Sequence, residues 1–179
     1  TNLNNIILKK NKNNKILFIS SAIERYSCKT QAWPAGASQS YKFMENHINF
    51  FKNLNENIKK KFVFRVLKGA DDLFRTGYIN RMKDNFNNII IDTGTTPLNK
   101  ILSNFKMACI TYNGGTLIQT LSMNFPTILY WDKDTFELNE NSEKYFDELR
   151  LARIFHSNYK SASDHINSIS ENIDSWWES

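Results

Sequence analysis

The run Thr111-Tyr112-Asn113-Gly114-Gly115-Thr116-Leu117-Ile118-Gln119-Thr120-Leu121-Ser122-Met123-Asn124-Phe125-Pro126-Thr127-Ile128-Leu129-Tyr130-Trp131 carries the clearest chemical signal in the chain. It reads as strand, small-residue turn, short helix, proline break and second strand. Asn113, Gly114, Gly115 and Thr116 stand where such a turn leaves backbone N–H groups pointing outward at the start of a helix. Free donors at the positive end of a helix dipole form a seat for phosphate. Gln119, one turn further on, could reach a sugar hydroxyl. The competing reading is an ordinary turn into a helix, with glycines for tight packing and no ligand.

Cations and hydroxyls elsewhere fit the same chemistry. Arg65 lies inside an otherwise apolar strand, which is costly unless its charge is paired or reached by solvent. With Lys68 at the strand's end it could give cationic hydrogen bonds to a diphosphate; the alternative is an internal ion pair with a carboxylate such as Asp92. Ser20 and Ser21 follow the first apolar run and join the candidate binding residues. Glu137, beyond the last strand, could grip ribose hydroxyls. Its acidic neighbours Glu140, Glu143 and Asp147 read as a solvated face.

The three histidines are scattered and lack a spaced acidic partner. His47 and His165 lie within helical patterns and read as structural or surface groups, whereas His156 precedes a loop and could approach a ligand. There is no metal-binding spacing, no Walker sequence and no Gly-x-Ser-x-Gly elbow, so hydrolase and P-loop readings lack support. No metal site and no cofactor are expected, and the sequence identifies no general base.

Five apolar runs must position these groups: 15–20 (KILFIS), 62–68 (FVFRVLK), 89–92 (IIID), 107–112 (MACITY) and 127–131 (TILYW). Most are continuously apolar, as strands buried on both faces should be. Helical periods lie between and after them. In 38–60, Tyr41, Met44, Ile48, Phe51, Leu54 and Ile58 recur every three or four residues. A helix start at Thr96-Pro97, and further periods at 142–152 and 161–177, follow the same rule. Strands alternating with helices imply βαβ units with right-handed crossovers. The expected fold is α/β: a Rossmann-like parallel sheet of about five strands with helices on both faces. Ligands in such a sheet sit at the C-terminal ends of the strands. The connection from Ser20 to about Ala37 is long enough to be functional.

With 179 residues the chain suits one domain, expected over 15–179, after a frayed polar segment at 1–14. Hydrophobic content of 41% and charged content of 23% are those of a globular protein, and no stretch approaches the ~20 apolar residues that span a bilayer. The net charge of +5 is spread over solvated lysine clusters, with an anionic ligand or a membrane face as the next reading. No basic stripe interleaved with aromatics points to nucleic acid. Cys28 and Cys109 have no ligand spacing, and Cys109 sits in an apolar run as a small hydrophobe. A cytoplasmic location is expected. The missing initiating Met suggests a piece of a longer protein.

A family resemblance rests on Tyr112 to Trp131 with Phe136-Glu137-Leu138, Tyr145-Phe146, Glu148-Leu149, Ile154-Phe155-His156, Ser161-Ala162, His165-Ile166 and Trp176-Trp177. These resemble the C-terminal part of a bacterial family of surface-polysaccharide (O-antigen-type) transferases, from about Lys15 to the end. More distantly, the spacing from Gly114-Gly115 to Pro126 is similar to the donor half of GT-B glycosyltransferases, and to polyol-phosphate transferases and sugar-nucleotide 2-epimerases. The resemblance implies a nucleotide-sugar donor as substrate, with phosphate at Asn113, Gly114, Gly115 and Thr116 and the ribose or nearby hydroxyls at Gln119. Many relatives carry a carboxylate at that last position. It also implies that a carbohydrate or lipid-linked acceptor, and the catalytic base, belong to a separate N-terminal half; association at the inner face of the membrane is the second reading of location, beside the cytoplasmic one. Two other readings stand beside it: a non-catalytic assembly or membrane-docking domain of the same fold, and an epimerase-like enzyme.

Overall fold

The computed structural model describes residues 14–21, 37–69 and 77–179. The polar start at 1–13, most of the connection after the first strand with Cys28 in it, and the stretch 70–76 lie outside the described residues.

Six parallel strands form one sheet: β1 (Ile16–Ile19), β2 (Phe62–Arg65), β3 (Ile90–Asp92), β4 (Met107–Ile110), β5 (Thr127–Tyr130) and β6 (Phe155–His156). Their order is β3-β2-β1-β4-β5-β6, the doubly wound Rossmann arrangement. The first five are the apolar runs, trimmed at their ends. β1, β2, β4 and β5 are buried at every position, which explains why they read as continuous apolar runs rather than alternating ones. β6 adds a sixth strand of two residues, too short to show a period.

The helices are α1 (Ala37–Asn53), α2 (Glu56–Lys59), α3 (Tyr78–Asn85), α4 (Leu98–Ile101), α5 (Gly115–Ser122), α6 (Glu140–Leu151), α7 (Tyr159–Ile169) and α8 (Ile173–Trp177). One face of the sheet presents Phe18, Phe64 and Tyr130 to α1 and α3. There Phe18 meets Phe50, Phe51 and His47 at ring-centroid distances of 5.2, 4.9 and 5.1 Å. On the other face Phe146 of α6 packs on Trp131 and Phe155 at 5.7 and 5.1 Å. Each ring fully buried in this way contributes about 1.5–3 kcal/mol. Cys109 is fully buried in β4, and burial pushes its thiol up, so it is inert packing.

Three helical expectations change in detail. The period over 38–60 breaks at Leu54-Asn55 into α1 and α2, and Tyr41 is 58% exposed because the buried stripe runs through Phe43, Met44, His47, Phe50 and Phe51. Pro97 is the residue before α4 rather than its first. The 161–177 pattern divides into α7 and α8, and Trp176 and Trp177 are half-buried: Trp176 meets His165 edge to face, while Trp177 Nε1 donates to the Asn124 backbone oxygen at 3.2 Å. Among the described residues no helix is long and apolar enough to cross a membrane.

Candidate functional site

β1 and β4 are neighbours, yet the chain leaves β1 toward β2 on one side and passes on from β4 to β5 on the other. The loops at their C-terminal ends therefore diverge and open a crevice. A cavity of about 290 Å³ lies there, lined among others by Ser20, Ser21, Arg65, Lys68, Thr116 and Gln119. Six of the ten residues singled out from the sequence thus share one wall. Asn113, Gly114 and Gly115 form the turn beside it, leading into α5. Glu137 is exposed and does not line the cavity.

The turn into α5 depends on Gly114. Its backbone is extended, and an added Cβ would lie 2.8 Å from the Tyr112 ring. Without that side chain Tyr112 folds over the turn, and its hydroxyl meets Thr116 Oγ1 at 2.5 Å. Burial pushes the Tyr112 phenol up, so it stays neutral. The Leu117 amide bonds to the Gly114 carbonyl at 3.2 Å. Among the described residues the Gly115 and Thr116 amides have no acceptor, and a Cβ on Gly115 would meet nothing within 4 Å. Two donors thus lack a partner at the positive end of an eight-residue helix.

Arg65 sits on β2 directly beside Asp92 on β3. Only 8% exposed, it places Nη1 2.5 Å from Asp92 Oδ2 and donates from Nη2 to the Thr96 carbonyl at 2.6 Å. The internal ion pair exists, and Arg65 still lines the cavity. A guanidinium has five N–H donors, so these two bonds leave capacity for a ligand. Asp92 Oδ1 accepts from the Gly94 amide at 2.9 Å. Gly94 has a φ of +69°, and a Cβ there would lie 2.4 Å from the Val66 carbonyl oxygen and 2.9 Å from the Lys68 nitrogen. The loop after β3 can lie against the cavity's wall only because residue 94 has no side chain. Lys68 is exposed, and among the described residues no carboxylate pairs with it.

Ser20 is backed by a buried polar chain. Its Oγ lies 3.1 Å from the Tyr78 hydroxyl, which in turn contacts His47 Nδ1. Burial pushes His47 down to about 3, so the imidazole is neutral at neutral pH. One proton arrangement runs outward: His47 Nδ1–H donates to Tyr78, Tyr78 donates to Ser20, and the Ser20 hydrogen is left for the Ser21 carbonyl at 3.2 Å or for a ligand.

Sequence reasoning assigned no individual role to Tyr112, Gly94 or Tyr78 and missed the part played by His47. Tyr112 was inside the quoted run but had no role assigned. The others gave no local signal, because each acts on a residue of a different strand or helix. His156 and His165 line a different recess, described below.

No curated protein matches the chain. A family model described as LIC12162 family transferase matches residues 1–179, and the chain belongs to that family.

Proposed function

We propose that this transferase-family chain binds a nucleotide-sugar donor at the switch-point cavity and serves a glycosyl transfer in the synthesis of bacterial surface carbohydrate. The observation that carries this reading is the meeting of the open amides of α5, Arg65, Lys68 and the Ser20 hydroxyl around one cavity. That set suits a diphosphate: donors without acceptors, two cations and a helix dipole. Gln119 stands one turn above, within reach of a ribose or sugar hydroxyl. The volume of about 290 Å³ is at the low end for small-molecule sites (about 300–1,000 Å³), enough for the diphosphate and one ring. The remainder of a donor would lie over the rim, where Leu67 is 49% exposed.

In this reading the bond between the anomeric carbon and the diphosphate oxygen breaks while the acceptor hydroxyl attacks that carbon. The charge that grows on the departing diphosphate meets Arg65, Lys68 and the α5 amides, already placed and needing no reorganisation. Ser20 is committed to Tyr78, and the Tyr112 phenol is raised by burial, so neither serves as the base that takes the acceptor's proton. That base is assigned to the acceptor-binding half.

Calorimetric titration with a panel of nucleoside diphosphates and their sugars tests the proposal. Gly115→Val suits this purpose because a Cβ at residue 115 meets nothing within 4 Å among the described residues, so bulk is added beside the amides where the backbone has room for it. Both Gly115→Val and Lys68→Ala should weaken diphosphate binding about tenfold, the effect of losing one charge-assisted contact of about 1.5 kcal/mol. No heat with any nucleotide would refute the donor-site reading and favour a non-catalytic assembly role.

A further inference from the structure

A wider recess of about 740 Å³ opens at the far side of the sheet, where β6 runs into α7. It shares no residue with the switch-point cavity. Its wall carries Arg150, Arg153 and Lys160 against a single carboxylate, Asp164. Arg150 is held by Glu143 at 3.2 Å and by Asp147. Lys160 Nζ donates to Asp164 Oδ2 at 2.7 Å, and Asp164 Oδ1 also accepts from Asn53 at 2.7 Å. Among the described residues Arg153 has no carboxylate partner.

Beside that wall, the start of α7 holds donors with nothing to bond among the described residues. Asn158 caps α7 by accepting from the Ser161 amide at 2.8 Å, which leaves the Tyr159 and Lys160 amides without an acceptor among the described residues. His156 is satisfied at both nitrogens: Nε2–H donates to the Arg153 carbonyl at 3.0 Å, and Nδ1 accepts from the Ser161 hydroxyl at 2.7 Å. His165, whose ring centroid is 5.3 Å from that of His156, is 7% exposed, and its Nε2 has no partner among the described residues. A buried ring nitrogen left unbonded is rare in a folded protein, because it has given up water without replacing it. Burial first, then His156 and Arg153, hold His165 down to about 4. Among the described residues the recess thus holds one cation without a carboxylate partner, Arg153, near two open amides and an unbonded imidazole nitrogen.

We propose that this recess is a second binding site, separate from the donor cavity, for a phosphate ester. Its oxyanion meets Arg153 and the Tyr159 and Lys160 amides, and its ester or hydroxyl oxygen meets His165 Nε2. The volume exceeds what inorganic phosphate fills and leaves room for the esterified group. That group is either a soluble sugar or polyol phosphate or the headgroup of a phospholipid; the recognised chemistry is the same. The inference does not depend on the donor-site reading.

Backbone and histidine NMR resolves this site from the other. Inorganic phosphate, glycerol phosphate and vesicles containing phosphatidic acid are each titrated into the protein. The expected result is movement of the Tyr159 and Lys160 amide signals and of the His165 ring signals, with the midpoint weakened about tenfold in Arg153→Asn. Asparagine tolerates the positive φ of 56° at residue 153, so that variant keeps the turn. Ser157→Asp places a carboxylate on the recess wall and should weaken binding in the same way, while Lys68→Ala should leave these signals unchanged. Response to glycerol phosphate identifies a soluble ester, and response to vesicles alone identifies a lipid headgroup. The proposal is overturned if none of the three probes moves these signals, or if Arg153→Asn and Ser157→Asp respond like the wild type.

Discussion

Replacing Gly94 with alanine tests how the fold holds the cavity wall. At a φ of +69°, a side chain costs about 1–2 kcal/mol in backbone conformation alone. The added Cβ would also lie 2.4 Å from the Val66 carbonyl oxygen, where ordinary contact begins near 3.4 Å, so one backbone segment must retreat by 3.4 − 2.4, about 1 Å. Retreat of residue 94 sacrifices its 2.9 Å bond to Asp92 Oδ1, a charge-assisted contact of about 1.5–3 kcal/mol. The sum is about 2.5–5 kcal/mol, or roughly 5–20 °C in melting temperature for a domain of this size. Gly77 supplies the internal control: its φ is +65°, but a Cβ there meets nothing within 4 Å among the described residues. Gly77→Ala should cost only the backbone part, about 1–2 kcal/mol. Urea unfolding at constant m-value reads the difference between the two variants. Nucleotide titration adds a second measure, because only Gly94→Ala displaces Val66, Leu67 and Lys68. Equal destabilisation by the two alanines, within about 0.5 kcal/mol, would refute the steric argument.

Asp92→Ala should cost about 2–4 kcal/mol in urea unfolding, since it strands the nearly buried Arg65 guanidinium and the Gly94 amide. Adding Arg65→Met should recover part of that loss; a double variant as unstable as the sum of the singles would show that the pair is not coupled. His47 governs an acid-side loss of stability. The unfolded chain binds a proton as pH falls below 6.5, while the folded chain does not until about 3, so stability present above 6.5 is lost across that window, by at most about 1.4 kcal/mol per pH unit. His47→Gln should flatten the curve of unfolding free energy against pH by that slope, and an unchanged slope would place the proton uptake elsewhere. His165, depressed to about 4, adds its own slope in both proteins.

The strands and the fold class were legible because burial on both faces leaves a mark on consecutive residues. β1, β2, β4 and β5 are apolar runs, and any chain alternating such runs with helical periods has few ways to fold other than a parallel sheet. Cys109 was legible for the same reason, as a small residue within a buried run. The strand–turn–helix geometry before α5 was legible too, since it is set by neighbouring residues. β6 was not, because two residues have no period. For Arg65 the sequence left a choice between a ligand and Asp92; the β2–β3 register pairs the two residues and leaves the guanidinium on the cavity wall as well. Gly94 looks like any loop glycine until Val66 and Lys68 come against it, and Ser20 finds Tyr78 across 58 positions of chain. The physical reason is range. Side-chain periods of two or 3.6 residues are set by neighbours along the backbone, whereas partners at strand ends are set by strand order, which only the packing of the whole chain selects.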